Sequence, residues 1–127
     1  INILKMICSG FLDRWPRLKL VCAHTGAFSL VLRARMQREV DTNAQLSAAL
    51  KAPVGDYLGR LYFDTVCFEP GILQYAASVV PVEHLLMGSD APFPLGEPEP
   101  VKFVRKALPA NQAETIMQKN FDDLVGG

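Results

Sequence analysis

Three short apolar runs, LKLVCA at 18–23, LYFDTV at 61–66 and LLMGS at 85–89, alternate with stretches of helical periodicity. Each run is too short for a helix of its own and is typical of a strand buried on both faces. Strands alternating with helices predict βαβ crossovers and a parallel sheet. The onsets near 18, 61 and 85 lie 43 and 24 residues apart, on either side of the ~30 residues that a βαβ unit needs. The expected fold class is therefore repetitive α/β. Three parallel strands alone leave two apolar edges bare, an aggregation hazard, so further strands are expected to cover them.

The helical stretches have recognisable starts and stops. Residues 1 to about 11 carry apolar side chains at helical spacing and end at Ser9-Gly10 or at the turn Asp13-Arg14-Trp15-Pro16. A long helix is expected from 28 to about 50, with Leu30, Val31, Ala34, Val40 and Leu46 set between Arg33, Arg35, Arg38, Glu39 and Asp41; Ala52-Pro-Val-Gly breaks it. Glu69-Pro70-Gly71 suits the first turn of a helix reaching residue 79, because proline is tolerated where the amide has no partner. Two more helical stretches follow, at 99–108 and from 111 to about 124, closed by Gly126-Gly127. With no repeat, low-complexity segment or linker, residues 1–127 are expected to form a single unit. The register begins at helical spacing and without an initiating Met, and a fragment of a longer chain is expected.

Composition narrows the partners. A chain of 127 residues has room for one domain, which would bury roughly two-thirds of its unfolded surface. Thirteen basic side chains balance thirteen acidic ones, so there is no electrostatic footprint for nucleic acid or an anionic membrane, and small molecules or proteins are the expected partners. Three cysteines, Cys8, Cys22 and Cys67, form no CxxC pair and leave one over in any disulfide scheme, which suits a reducing compartment. No apolar run approaches the ~18 residues of a membrane span. A soluble, cytoplasmic protein is expected.

Two of the three runs end on a side chain with chemistry, His24 after VCA and Asp90 after MGS. In parallel α/β folds, and above all in (β/α)8 barrels, functional groups project from the C-terminal ends of the strands. A carboxylate there is partly desolvated, which is costly unless a metal, a cation or hydrogen bonds compensate. Asp90 can meet that cost by facing a divalent cation, or it can be a helix cap or turn residue. His24 can be a ligand, a base titrating near neutrality, or a structural histidine. Asp64 reads as an acceptor for a loop amide, and His84, on the opposite side of its strand, as structural. Arg33 and Arg35 fit a solvated helix face or a bidentate grip on a substrate carboxylate. Phe93, between two prolines, is a rigid pocket wall or a loop residue packed on the core. Phosphate cradles, Walker motifs and a Ser-His-Asp order are missing.

The string from Ser9 through WPRLKLVCAHTG, then LYFDT, then MGSDAPFPLGE at 87–97, with the closing NFDDLVG, resembles the amidohydrolase-related family in its aminocarboxymuconate-semialdehyde decarboxylase-like branch. The resemblance implies the C-terminal portion of a distorted (β/α)8 TIM barrel, about strands 6 to 8 with their helices. It puts a catalytic divalent metal, usually zinc, on Asp90, and the role of acid and base beside metal-bound water on His24. It gives an arginine of the following helix, Arg35 or by a shorter Thr25-Gly26-Ala27 turn Arg33, the contact with substrate carboxylate, sometimes across a dimer interface. Ala91 departs from the Tyr of many relatives and alters the pocket wall. The family's first-strand His-x-His and fifth-strand histidine have no counterpart among these residues, so one of four metal ligands is present and the 127 residues alone are expected to be inert.

For a complete protein the resemblance implies non-oxidative decarboxylation of an unsaturated or aromatic carboxylic acid, with no organic cofactor and a homodimer as the expected assembly. A hydrolase or hydratase of the same superfamily uses the same constellation and stays open. A half-barrel acting only as an interaction module through its strand edges is the third reading.

Overall fold

A computed structural model describes residues 2–126. Two short helices, α1 (Asn2–Cys8) and α2 (Phe11–Arg14), precede strand β1 (Val21–Cys22). Helices α3 (Arg33–Thr42), α4 (Ala44–Ala49) and α5 (Val54–Gly59) lead to β2 (Tyr62–Asp64), and α6 (Pro70–Val79) leads to β3 (Leu85–Leu86). The chain ends in α7 (Pro100–Ala107), α8 (Ala110–Glu114), a π turn (Thr115–Lys119) and α9 (Asn120–Gly126). The strands form a parallel sheet in the order β1-β2-β3, with Cys22 beside Phe63 and Phe63 beside Leu85. The parallel α/β order expected from the apolar runs is therefore present. The expected helix start at Ile1 and the closing Gly127 lie outside the described residues.

One row of the sheet is buried. Cys22, Phe63 and Leu85 face a core shared with Leu12, Leu30, Tyr57, Leu58, Leu73 and Val104. The alternate row carries Val21, which is 47% exposed, and Tyr62, whose ring stacks on His84 with centroids 4.3 Å apart. Helices cover the Cys22–Phe63–Leu85 face; on the other face Val21 is exposed while Leu86 is buried.

The ladders are shorter than the apolar runs because side chains take over from the backbone at the strand ends. Beyond β2, the Val66 amide donates to Asp64 Oδ1, and beyond β3 the Gly88 amide donates to Thr65 Oγ1 rather than to a ladder carbonyl. Before β1, the amide of Leu18 is already used in a turn to the Trp15 carbonyl.

The helix expected from 28 to 50 is a correction. Residues 24–27 all have positive φ, so helical geometry starts only at Arg33. It is interrupted at Asn43, whose Oδ1 accepts from the amides of Gln45 and Leu46 and caps α4. Helix α5 was not anticipated: Pro53 ends the preceding segment but also stands at the N-cap of α5, and Gly55 and Gly59 dilute a pattern whose buried side chains are Val54, Tyr57 and Leu58. By contrast α6 begins as expected, with Pro70 in the first turn and the Glu69 carboxylate accepting from the Gly71 amide.

Among the described residues no helix is long and apolar enough to cross a membrane. The three cysteines are unbonded thiols. Near the chain's end Asn120, 2% exposed, donates through Nδ2 to the carbonyls of Val82 and Leu85, both at 2.7 Å, and so ties α9 to the start of β3.

Candidate functional site

The C-terminal ends of the three strands converge. After β1 the chain makes a tight turn in which His24, Thr25, Gly26 and Ala27 have φ of 56°, 52°, 69° and 50°. Left-handed backbone at non-glycine residues costs on the order of 1–3 kcal/mol each and persists only where its surroundings hold it. Here the hold is visible. The Asp64 carboxylate at the end of β2 accepts the His24 amide at 2.9 Å, the Thr25 amide at 2.8 Å and the Val66 amide at 3.0 Å. Thr25, 2% exposed, returns a hydroxyl bond of 3.0 Å to the Asp64 carbonyl. Gly26 is required by contact as well as by φ, since a Cβ there would lie 2.6 Å from Cε1 of Phe63.

The loop after β3 is closed on itself. The Glu97 amide donates to the Ser89 carbonyl at 2.7 Å, and Phe93 N–H to the Asp90 carbonyl at 3.0 Å. Gly96 lies so close to this closure that a Cβ would sit 2.5 Å from the Ser89 carbonyl oxygen. Asp90 itself has φ 62°.

These two devices bring His24 and Asp90 together across β2: Nε2 of His24 lies 3.7 Å from Oδ1 of Asp90, with side chains 60% and 28% exposed. The two strand-end aspartates differ in kind. Asp64 is saturated with N–H donors, whereas the Asp90 carboxylate accepts no hydrogen bond among the described residues and has the His24 imidazole 3.7 Å away. A partly buried carboxylate without donors is the arrangement that suits a cation. Beneath the turn, burial first and the Asp64 charge second push the Cys22 thiol up to about 11, so it is inert rather than nucleophilic.

The other two expected site residues, Arg35 and Phe93, are exposed. Arg35 is exposed on α3 and lines a shallow depression with Arg38, Glu39 and Thr42. Phe93 is 65% exposed and lines a depression with Ser89 and Ala91, the neighbours of Asp90. A surface depression of about 700 Å³ around Glu99, Lys102, Arg105 and Lys106 on α7 includes neither His24 nor Asp90, so cavity volume does not mark the site. The expected bond from Asp64 to a loop amide is present, and to three amides rather than one; what sequence reasoning missed is that Thr65 beside it accepts from Gly88.

A divalent metal fits what is present but not completely. Asp90 supplies a donor-poor carboxylate and His24 an imidazole, and among the described residues no third His, Cys, Asp or Glu joins them. A catalytic zinc takes about three protein ligands.

The chain is 31% identical over 121 residues to 2-amino-3-carboxymuconate-6-semialdehyde decarboxylase of Caenorhabditis elegans, covering 93% of this chain and 30% of that protein. Its fold matches 5-carboxyvanillate decarboxylase of Sphingomonas paucimobilis with a TM-score of 0.84 and 26% identity, over 97% of this chain and 38% of the other. It also matches the fold of a Polaromonas dihydroxybenzoic acid decarboxylase, solved with bound manganese and 2-nitroresorcinol, with a TM-score of 0.84 and 19% identity over 98% of this chain and 39% of that one. The chain thus spans about a third of the length of these relatives. Residues 2–124 match the amidohydrolase family, and the chain belongs to it.

Proposed function

We propose that this chain is one unit of a metal-dependent decarboxylase, the part contributing strands 6 to 8 of its barrel, and that it carries the proton-handling side of the active site. The observation that carries this reading is the approach of His24 Nε2 to Asp90 Oδ1 at 3.7 Å across the ends of parallel strands. In the reaction the bond from a substrate carbon to its carboxylate breaks, carbon dioxide leaves, and the electron pair left on carbon takes up a proton. His24 holds and delivers that proton: its imidazole, 60% exposed, is open to substrate and stands 3.7 Å from the Asp90 carboxylate. Asp90 is the metal ligand of this chain. Asp90 would contribute to holding a divalent metal, zinc on the resemblance, which would supply electrostatic stabilisation of negative charge.

Arg35 contributes a guanidinium for substrate carboxylate, and its exposure on α3 suits a role reached across a homodimer interface. Phe93 forms a wall of the substrate pocket. Alone, with two candidate groups and no further ligand cluster among the described residues, the chain is inert.

The test uses the complete protein. Elemental analysis and carbon dioxide release are measured with 2-amino-3-carboxymuconate-6-semialdehyde and 5-carboxyvanillate. Asp90→Ala is expected to lose metal and turnover together. His24→Ala is expected to keep its metal while turnover falls about 10²- to 10⁴-fold, the usual worth of a general acid or base. Turnover without carbon dioxide would make the protein a hydrolase or hydratase, and equal metal loss in both variants would make His24 a ligand.

A further inference from the structure

We infer that Asp64 is a positioning residue for the reaction: its carboxylate sets the conformation of the His24 turn and, with Thr65, the separation of His24 from Asp90. The inference rests on the proposed role of His24. It goes further by assigning a function to an acid that touches no reacting atom.

Asp64 and Thr65 stand at the end of the middle strand of three, and between them they bind on both sides. Toward β1 the Asp64 carboxylate receives the consecutive amides of His24 and Thr25, one on each oxygen, at 2.9 and 2.8 Å. Successive amides that point the same way form a concavity for an anion, and here the anion is part of the protein. Both donors belong to left-handed residues, which the backbone would leave if the bonds were absent. Toward β3 the neighbouring Thr65, 1% exposed, accepts the Gly88 amide at 3.2 Å, two residues before Asp90. Gly88 also packs against β2 so closely that a Cβ would lie 3.2 Å from Asp64 Cβ. One dipeptide therefore braces both arms of the site. A purely structural strand-end aspartate needs only its own Asx turn, which the Val66 amide at 3.0 Å already provides; the two bonds to the His24 turn are additional.

Asp64→Asn keeps the size of the side chain but turns one acceptor into a donor that faces an amide. In the complete protein this is expected to lower kcat about 10- to 100-fold, the usual range for groups that orient a reacting group, with metal content and KM unchanged. The discriminating measurement is the double-mutant cycle with His24→Ala. If Asp64 acts through His24, adding Asp64→Asn to His24→Ala costs nothing further. Independent, multiplying losses would overturn the inference.

Amide exchange followed by NMR gives a readout apart from turnover. The His24 and Thr25 amides are expected to exchange at least ~10-fold faster in Asp64→Asn, and unchanged protection would overturn the clamp. Full turnover in His24→Ala would refute the proposed role of His24 but leave the clamp to be decided by exchange. If Asp64→Asn does not accumulate folded, Thr25→Val serves in the same cycle. It removes only the hydroxyl bond to the Asp64 carbonyl, and zero coupling with His24→Ala there would count against the inference.

Discussion

Two glycines with nearly the same backbone give a controlled test of how the His24 turn is built. Gly10, at the N-cap of α2, has φ 68°, and Gly26 has φ 69°. A Cβ on Gly10 would meet nothing within 4 Å, whereas one on Gly26 would stand 2.6 and 2.7 Å from Cε1 and Cδ1 of Phe63 and 2.8 Å from Ser29 Oγ. Phe63 is fully buried in the middle strand and has no room to retreat. Gly10→Ala should therefore cost only the left-handed penalty, about 1–2 kcal/mol. Gly26→Ala should add the price of overpacking, about 1–3 kcal/mol, for a total of about 2–5 kcal/mol. At an m-value of roughly 2 kcal/mol/M in urea, the two denaturation midpoints should differ by about 0.5–1.5 M. Gly55→Ala, in α5 with open space around its Cβ, should instead stabilise the chain by about 0.5–1 kcal/mol. Urea unfolding followed by circular dichroism on the three variants, in parallel with the parent chain, measures all of this. Equal costs at Gly10 and Gly26 would refute the claim that the turn is seated on Phe63.

Two further outcomes follow from buried groups. The Cys22 thiol is held protonated by burial, with its pKa raised from 9.0 to about 11. A raised folded pKa means its contribution to stability is complete below pH 9 and is lost as pH rises from 9 toward 11; Cys22→Ala should flatten that decline, and a thiol reagent at pH 8 should label Cys22 far more slowly in native than in unfolded chain. Asn120→Ala removes both donors to the Val82 and Leu85 carbonyls and leaves them buried. This should cost about 2–4 kcal/mol, read as a lowered denaturation midpoint, and a loss under about 0.5 kcal/mol would mean that water replaces the amide.

What the sequence made legible was set by local rules. The apolar runs gave the strands, and proline at 70 and 100 marked the starts of α6 and α7, because proline's fixed φ and missing amide act within one residue. The long helix over 28–50 failed for a tertiary reason: in the positive-φ turn at 24–27 the amides of His24 and Thr25 are bound by an acid 40 and 39 positions away. No periodicity carries that information. Strand length failed in the same way, since Thr65 and Asp64 side chains take the amides that a longer ladder would use. The convergence of His24 and Asp90 was legible through strand order alone. Arg35 and Phe93 were read from local context, and both are exposed.

The two aspartates at strand ends show how structure separates roles that spacing leaves equal. Each follows an apolar run, and a carboxylate at either position would be partly desolvated. Desolvation has to be offset, and the donors that offset it decide what the group can do. Asp64 has three amides within 3.0 Å; its lone pairs are largely committed, and a metal would have to displace bonds that hold the turn. Asp90 faces an imidazole at 3.7 Å in a loop closed by its own backbone. Its lone pairs are open to a cation, and the loop is held without them. A site that must bind and release charged ligands needs its carboxylate free and its scaffold rigid, and the division of labour between Asp90 and Asp64 supplies both.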